Sequence, residues 1–418
     1  MMLLKKGPVI TYRLAYQAIF IVICTALSTS LFVDAYPRKL LYLSGYVSLL
    51  FMAIKIKQKD FVFDRVALAV AAALMLIGSI RFMWGEMYSQ TQFSDITSNY
   101  RTGGKLFIIS GLMAYFFIAW RHNIARRAVL SGFAILLAGL IATTGFAVHE
   151  HLQTGLRIQL LTDSAGTVSY LITALALCTL FTGYRAVEHV GGRTCIFCIT
   201  FLLNTLLLIL TESRAGVLTL PILYLGFFCL THARLIRFAL IPLVVLMAAG
   251  FTMLPQSVWQ RLDSIRTEIG SYNTNNDTSI GARFSIWKGG YASISWTLMG
   301  QSPDERTSKA RQFIVDHERK NPEAYKNVQY HLHDDILETL SLQGIAGGVS
   351  ILVFYLVLLI VPLTRRPSAI AILPASFVIF GLTDTVLIQS LSVTTLCLSV
   401  FVSYALLQSS EGRDFIQR

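Results

Sequence analysis

Apolar residues along this chain neither alternate with a period of two nor form narrow stripes at helical spacing. They fall in runs of about 17–22 residues, long enough to cross bilayer hydrocarbon as helices. Twelve stretches predict spans, at roughly residues 14–34, 40–54, 66–84, 104–120, 128–148, 166–184, 194–212, 215–231, 237–253, 344–363, 368–386 and 388–408. The second is short and the eleventh contains Pro374. The first follows Lys5, Lys6 and Arg13 in the manner of a signal peptide. It is long for one and a second span follows closely, so it is expected to be a retained helix. The pattern predicts an all-α polytopic membrane protein of about twelve transmembrane helices.

Polar residues dominate one long interval, 254–343, between the ninth and tenth spans. The expected organisation is therefore helices one to nine over 1–253, a large loop over 254–343, and helices ten to twelve with a tail over 344–418. Apolar residues in the loop recur at helical spacing in Phe284-Ser-Ile-Trp287 and Ala310-Arg-Gln-Phe313-Ile314. Turn-rich breaks fall at 271–277 and 300–303. These features predict a few helices lying over the membrane surface, not an independent β domain.

Composition narrows the class. The chain is 54% hydrophobic and 14% charged, which excludes a disordered chain, a coiled coil or a disulfide-stapled mini-domain. Lys and Arg outnumber Asp and Glu by 35 to 23, a net charge of +12. In a soluble protein that excess would suggest nucleic acid; here it reports topology. With a cytoplasmic N-terminus, 18 Lys and Arg fall on cytoplasmic segments and 7 on the short outer loops. Both termini are thus expected inside and the long loop outside. The six cysteines all lie in or beside apolar runs, so no disulfide framework is expected. Cys195-Ile-Phe-Cys198 lacks a second pair and is expected to be two buried thiols.

Candidate chemistry sits where charge is expensive, at the outer membrane edge. Thr211-Glu212-Ser213-Arg214 is a tight turn between two apolar helices; Arg214 there is functional, or paired with Glu212, or snorkelling to lipid phosphate. Ser279-Ile-Gly281-Ala282-Arg283 places an Arg in the first turn of a helix, functional or merely exposed. In His331-Leu-His333-Asp334-Asp335-Ile-Leu337-Glu338, Asp335 and Glu338 resemble a capping box. His333 would then stand just outside a helix N-terminus, whose positive end favours anions and a neutral imidazole suited to general-base work. Zinc binding and simple capping are the alternatives there. No Walker loop, dinucleotide fingerprint or nucleophile elbow is present. An enzyme working there would be expected to use no cytosolic nucleotide and no metal, and any leaving group would have to arrive already activated and membrane-borne.

Taken jointly, in this order and on one membrane face, these segments resemble the O-antigen ligase family and its relatives, the O-antigen polymerases, of Gram-negative inner membranes. The resemblance covers nearly the whole chain, with Gly344-Ile-Ala-Gly347 following the His segment; Asp334 stands where the family usually has Asn. It implies a fold like the GT-C glycosyltransferases with a large, mainly helical periplasmic loop. It further implies inverting transfer of O-antigen polysaccharide from undecaprenyl diphosphate to a sugar of lipid A–core, with no cofactor, no metal and no nucleic acid. By the same resemblance His333 is the base, Arg214 and Arg283 stabilise the diphosphate, and Arg157, Lys105, Glu338 and His331 are lesser candidates for binding substrate or orienting the site. An O-antigen polymerase is the nearest rival. A twelve-span transporter is the more distant one, and would be expected to show two similar halves.

Overall fold

The computed structural model describes residues 7–162, 164–231, 256–318 and 321–408. Every regular element among them is helical. The helices are α1 Gly7–Thr29, α2 Tyr36–Lys57, α3 Arg65–Met87, α4 Ser94–Ala119, α5 Arg126–Thr154, α6 Ala165–Ala186, α7 Val190–Thr211 and α8 Arg214–Thr231. They continue with α9 Gln256–Gly270, α10 Ser279–Ala292, α11 Pro303–His317, α12 Pro322–Asn327, α13 Asp335–Leu363, α14 Ile372–Gly381 and α15 Ser390–Tyr404. Among the described residues nine helices, α1–α8 and α13, are long and apolar enough to cross a membrane. The ninth expected span, 237–253, lies outside the described residues.

The bundle is organised around α6, whose spanning stretch is 94% buried and which packs against α5, α7, α14 and α15. A helix enclosed in this way cannot send its hydroxyls to water. Thr173, Thr179 and Thr182 instead return theirs to the carbonyls of Ser169, Leu175 and Cys178, each at 2.8 Å. Contact between α3 and α4 is closer still, because Gly78 faces Gly104: a Cβ on Gly104 would lie 2.7 Å from the Gly78 carbonyl oxygen. Small residues let the backbones approach where lipid provides no hydrophobic drive.

Between α8 and α13 the described chain forms four helices: α9 packs Val258 and Leu262 against the bundle core, and α10–α12 have a core of their own. Ala282 and Ile286 of α10, Ala310 and Ile314 of α11, Ala324 of α12, and Val328 and Leu332 pack together. The helical spacing in Phe284–Trp287 and Ala310–Ile314 thus belongs to α10 and α11.

Several span boundaries differ from the expectation. The tenth begins at Asp335, nine residues before the apolar run, and breaks at Gly344 (φ 63°, ψ −154°). The eleventh is a short 3₁₀ turn, Ser368–Ala371, followed by the ten-residue α14, and residues 382–389 are not helical. The second is a full 22 residues. Cys195 and Cys198 are exposed on the outer face of α7, not buried. An apolar helix surface that meets lipid instead of protein has no need of polar residues, so hydropathy alone hid which way they face.

Candidate active site

The His-x-His segment lies between α12 and α13, and its middle residue anchors it. Leu332 is fully buried in the core of α10–α12, and its backbone N–H donates to Glu338 Oε2 at 2.9 Å. With Leu332 turned into that core, both imidazoles face one cavity, edge to face, with ring centroids 4.2 Å apart. On a helix they would have faced opposite ways; this segment is not helical. His333 has φ 53°, a left-handed conformation that costs a non-glycine residue about 1–3 kcal/mol and is typical of functional positions. Asp334 is the N-cap of α13, accepting from Leu337 N–H at 2.7 Å, so the cap lies one residue before the expected Asp335. Asp and Asn cap about equally well, so Asp334 performs there what an Asn would.

His333 meets a partner absent from the sequence reading. Its Nδ1 lies 3.3 Å from Asp384 Oδ1, in the connector between α14 and α15. Burial alone would raise the Asp384 pKa. The hydrogen bond to His333, the charge of Arg283 and the charges that the two imidazoles carry when protonated outweigh burial and hold the carboxyl well below the ordinary range. An ionised carboxylate only accepts, so Nδ1–H of His333 is the donor, and in the neutral imidazole this tautomer puts the lone pair on Nε2. The same connector receives Arg283, whose Nη1 donates to the Thr383 carbonyl at 3.3 Å. Thr278 caps α10 by accepting from Gly281 N–H, which fixes the helix turn that carries Arg283. Burial, reinforced by the charge of His333, pushes the His331 pKa down to about 4, leaving it neutral at ordinary pH.

Arg283 and His333 together line two cavities. The larger, about 580 Å³, is bounded by Arg157, Ser164–Thr167 at the start of α6, Asp95 and Asn99 of α4, Tyr330, His331, Asp384 and Gln389. The second, about 490 Å³, is bounded by Asp277, Thr278, Ser279, Glu323 and Asn327. Arg157 reaches the first from the α5–α6 loop, which Glu150 fastens by accepting from the backbone N–H groups of Gln159 and Leu160 at 2.9 and 3.0 Å.

The remaining candidates stand elsewhere. Arg214 lines neither cavity: its Nη2 donates to Ser264 Oγ at 2.7 Å and Glu268 Oε1 at 2.8 Å. It is not paired with Glu212, which instead binds Arg261 at 3.0 Å. Glu268 passes the connection on, since its Oε2 accepts from Ile280 N–H at the start of α10 at 2.8 Å. Lys105 is exposed, 5.5 Å from the Phe82 ring, and lines neither cavity. Glu338 is buried against Arg306 at 3.3 Å and supports the His segment through Leu332 without reaching a cavity. Of the sequence candidates, His331, His333, Arg283 and Arg157 share one cavity, and Arg214, Glu338 and Lys105 do not. Asp384 was missed because it fell inside the apolar stretch 368–386; a carboxylate within such a stretch was itself the signal.

One donor atom each from His331, His333 and Asp384 lies within 4.8 Å of the others, a group that could hold a metal ion. Donors around a single tetrahedral ion stand closer, at about 3.3–3.5 Å from one another, so the three would have to draw together to ligate.

Two comparisons bear on this arrangement. The family profile described as O-Antigen ligase matches residues 199–352, which contain Arg214, Arg283 and His333. The O-antigen ligase of Escherichia coli (strain K12) is 22% identical over 406 residues, covering 94% of this chain and 92% of that protein.

Proposed function

The chain belongs to the O-antigen ligase family, and we propose that it transfers O-antigen polysaccharide from undecaprenyl diphosphate to a sugar hydroxyl of lipid A–core on the periplasmic face of the inner membrane. Family membership supports ligation of O-antigen in lipopolysaccharide biosynthesis. The observation that carries the finer reading is the His333–Asp384 pair, set beside Arg283 where two cavities meet.

In this reading the acceptor oxygen attacks the anomeric carbon in line as the bond from that carbon to the diphosphate oxygen breaks. His333 Nε2 takes the hydroxyl proton, and the electron pair of the broken bond leaves with undecaprenyl diphosphate. Asp384 holds the tautomer and offsets the imidazolium charge as it forms. Negative charge grows on the diphosphate, and Arg283 and Arg157, with permanent charge and planar forks, stabilise it. A single displacement inverts the anomeric centre. Arg214 acts through Glu268 as a positioning residue for α10, not as a diphosphate ligand. No step in this scheme calls for nucleotide or metal. The twelve-span count, the GT-C architecture, the loop over 254–343 as a periplasmic unit and the cytoplasmic termini belong to the same proposal.

A polymerase would use the same donor with a lipid-linked glycan as acceptor, and a strain lacking the gene separates the two. Restoring the protein should attach O-chains to lipid A–core, and His333→Ala should leave core without O-chain while lipid-linked chains still lengthen. Chain growth that fails in the absence of the protein, with attachment intact, would make it a polymerase.

A further inference from the structure

The two cavities that meet at Arg283 and His333 differ in the groups they present. The larger one adds the guanidinium of Arg157; its carboxylates are Asp95 and Asp384, the latter engaged by His333. The smaller one adds no cation. Beyond Arg283 and His333 its charged groups are the carboxylates of Asp277 and Glu323, joined by the hydroxyls of Thr278 and Ser279 and the amide of Asn327. Among the described residues neither carboxylate takes part in an ion pair, and Glu323 is tied only to Asn327, which donates to its Oε1 at 2.7 Å. Both residues are exposed, so their oxygens are open to an incoming ligand.

From this contrast we infer that the roughly 490 Å³ cavity between the N-terminal turn of α10 and helix α12 is the acceptor-sugar subsite, with Asp277 and Glu323 as its specificity-determining residues. The inference rests on the proposed ligation and deepens it. A diphosphate placed there would face two carboxylates with one guanidinium to offset them, and would be repelled. A sugar ring offers the opposite surface. Its hydroxyls are donors that carboxylate oxygens accept in short, charge-assisted hydrogen bonds, and Asn327 can serve hydroxyls of either polarity. The volume is of the size that holds a small ligand, and His333 lines both cavities, so its imidazole can meet an acceptor hydroxyl held here while the diphosphate occupies the other. Holding the acceptor hydroxyl in one cavity and the leaving group in the other gives the separation that an in-line displacement requires. Recognition by carboxylates also selects for a stretch of neutral sugar; a phosphorylated residue would be excluded from this subsite.

The test measures binding by the full-length protein in nanodiscs, using lipid-free core oligosaccharide and undecaprenyl diphosphate as separate probes. The pair Asp277→Asn with Glu323→Gln should weaken oligosaccharide binding at least tenfold and leave undecaprenyl diphosphate binding within twofold. Arg157→Gln should do the reverse. Steady-state transfer should show the same division, with acceptor KM raised in the carboxylate variant and donor KM unchanged. Unchanged oligosaccharide binding in that variant, or weakened diphosphate binding, overturns the assignment. If the doubly substituted protein unfolds, Glu323→Gln alone carries the same comparison with a threefold or greater loss expected. The two ideas fail separately: a wild-type protein that binds both probes in this pattern but forms no ligated product sinks the ligation reading and leaves the placement of the sugar intact.

Discussion

His333 is held by three independent constraints: a left-handed backbone, the Asp384 carboxylate on its Nδ1, and the buried Leu332 beside it. Each costs or commits free energy that a merely exposed histidine would not require. Arg214 is placed with comparable care, but for a different end. Its bond to Glu268, and that of Glu268 to Ile280 N–H, make one chain from the α7–α8 turn to the helix bearing Arg283. Residues in one chain act as a unit, so Arg214→Ala and Glu268→Gln should each slow transfer about tenfold, roughly 1.4 kcal/mol. The double variant should be little worse than the worse single one. A double-mutant cycle on transfer rates checks this, and additive losses would show that the two residues act separately. His331 gives a stability prediction. Its folded pKa, about 4, is below the value near 6.5 of an unfolded chain, so the unfolded state binds more protons in between. Stability is therefore fully present above about pH 6.5 and lost as pH falls toward 4. His331→Asn should flatten that part of a plot of Tm against pH in detergent, leaving the loss at lower pH that comes from Asp384. The positions of the Arg and His residues were legible in the sequence because charge beside long apolar runs is costly. Asp384 was not, because averaging over a run hides a single carboxylate, and the contact joining it to His333 spans 51 residues.

Helix α13 shows how an element can be read correctly yet bounded wrongly. The apolar run begins at 344, and that is where the helix breaks; the nine residues before it mix polar and apolar side chains and are already helical. A broken helix leaves backbone groups without partners, which a membrane protein tolerates only where protein supplies them. Here the 297–301 segment does so. Ile345 and Ala346 donate to the carbonyls of Thr297 and Leu298, and Gln301 N–H to that of Leu342, at 2.9–3.0 Å. Gly344 has a backbone conformation open essentially to glycine alone, and a Cβ there would sit 2.3 Å from the Thr297 carbonyl oxygen. Gly344→Ala should therefore destabilise the protein by more than about 2 kcal/mol. Gly145→Ala is its control: that Cβ, in the middle of α5, meets nothing within 4 Å, and the change should be neutral or slightly stabilising. Thermal unfolding of the two variants side by side decides it, and equal Tm values would show that the break imposes no strain. Hydropathy gave the helical class and most of the spans because length and apolarity determine both. It could not give the break, which depends on which loop docks there.

At the scale of the whole molecule, α6 and the helices around it form the frame, and four covering helices bring Arg283 and His333 over the connector between α14 and α15. The site is thus assembled from segments far apart in sequence, and although charge beside apolar runs marked its Arg and His residues one by one, that they act together could be read only from the resemblance of their order to a known family. The account stands on His333 acting as base in a transfer driven by the diphosphate leaving group alone. Reconstitution tests this most directly: purified protein in liposomes, undecaprenyl-diphosphate-linked O-antigen, O-antigen-free lipopolysaccharide, a chelator, and no nucleotide. Ligated lipopolysaccharide should form with the wild-type protein and with His331→Ala, and should fall at least a hundredfold with His333→Ala. Product formed at the wild-type rate by His333→Ala, or formed only after a divalent cation is restored, would contradict it.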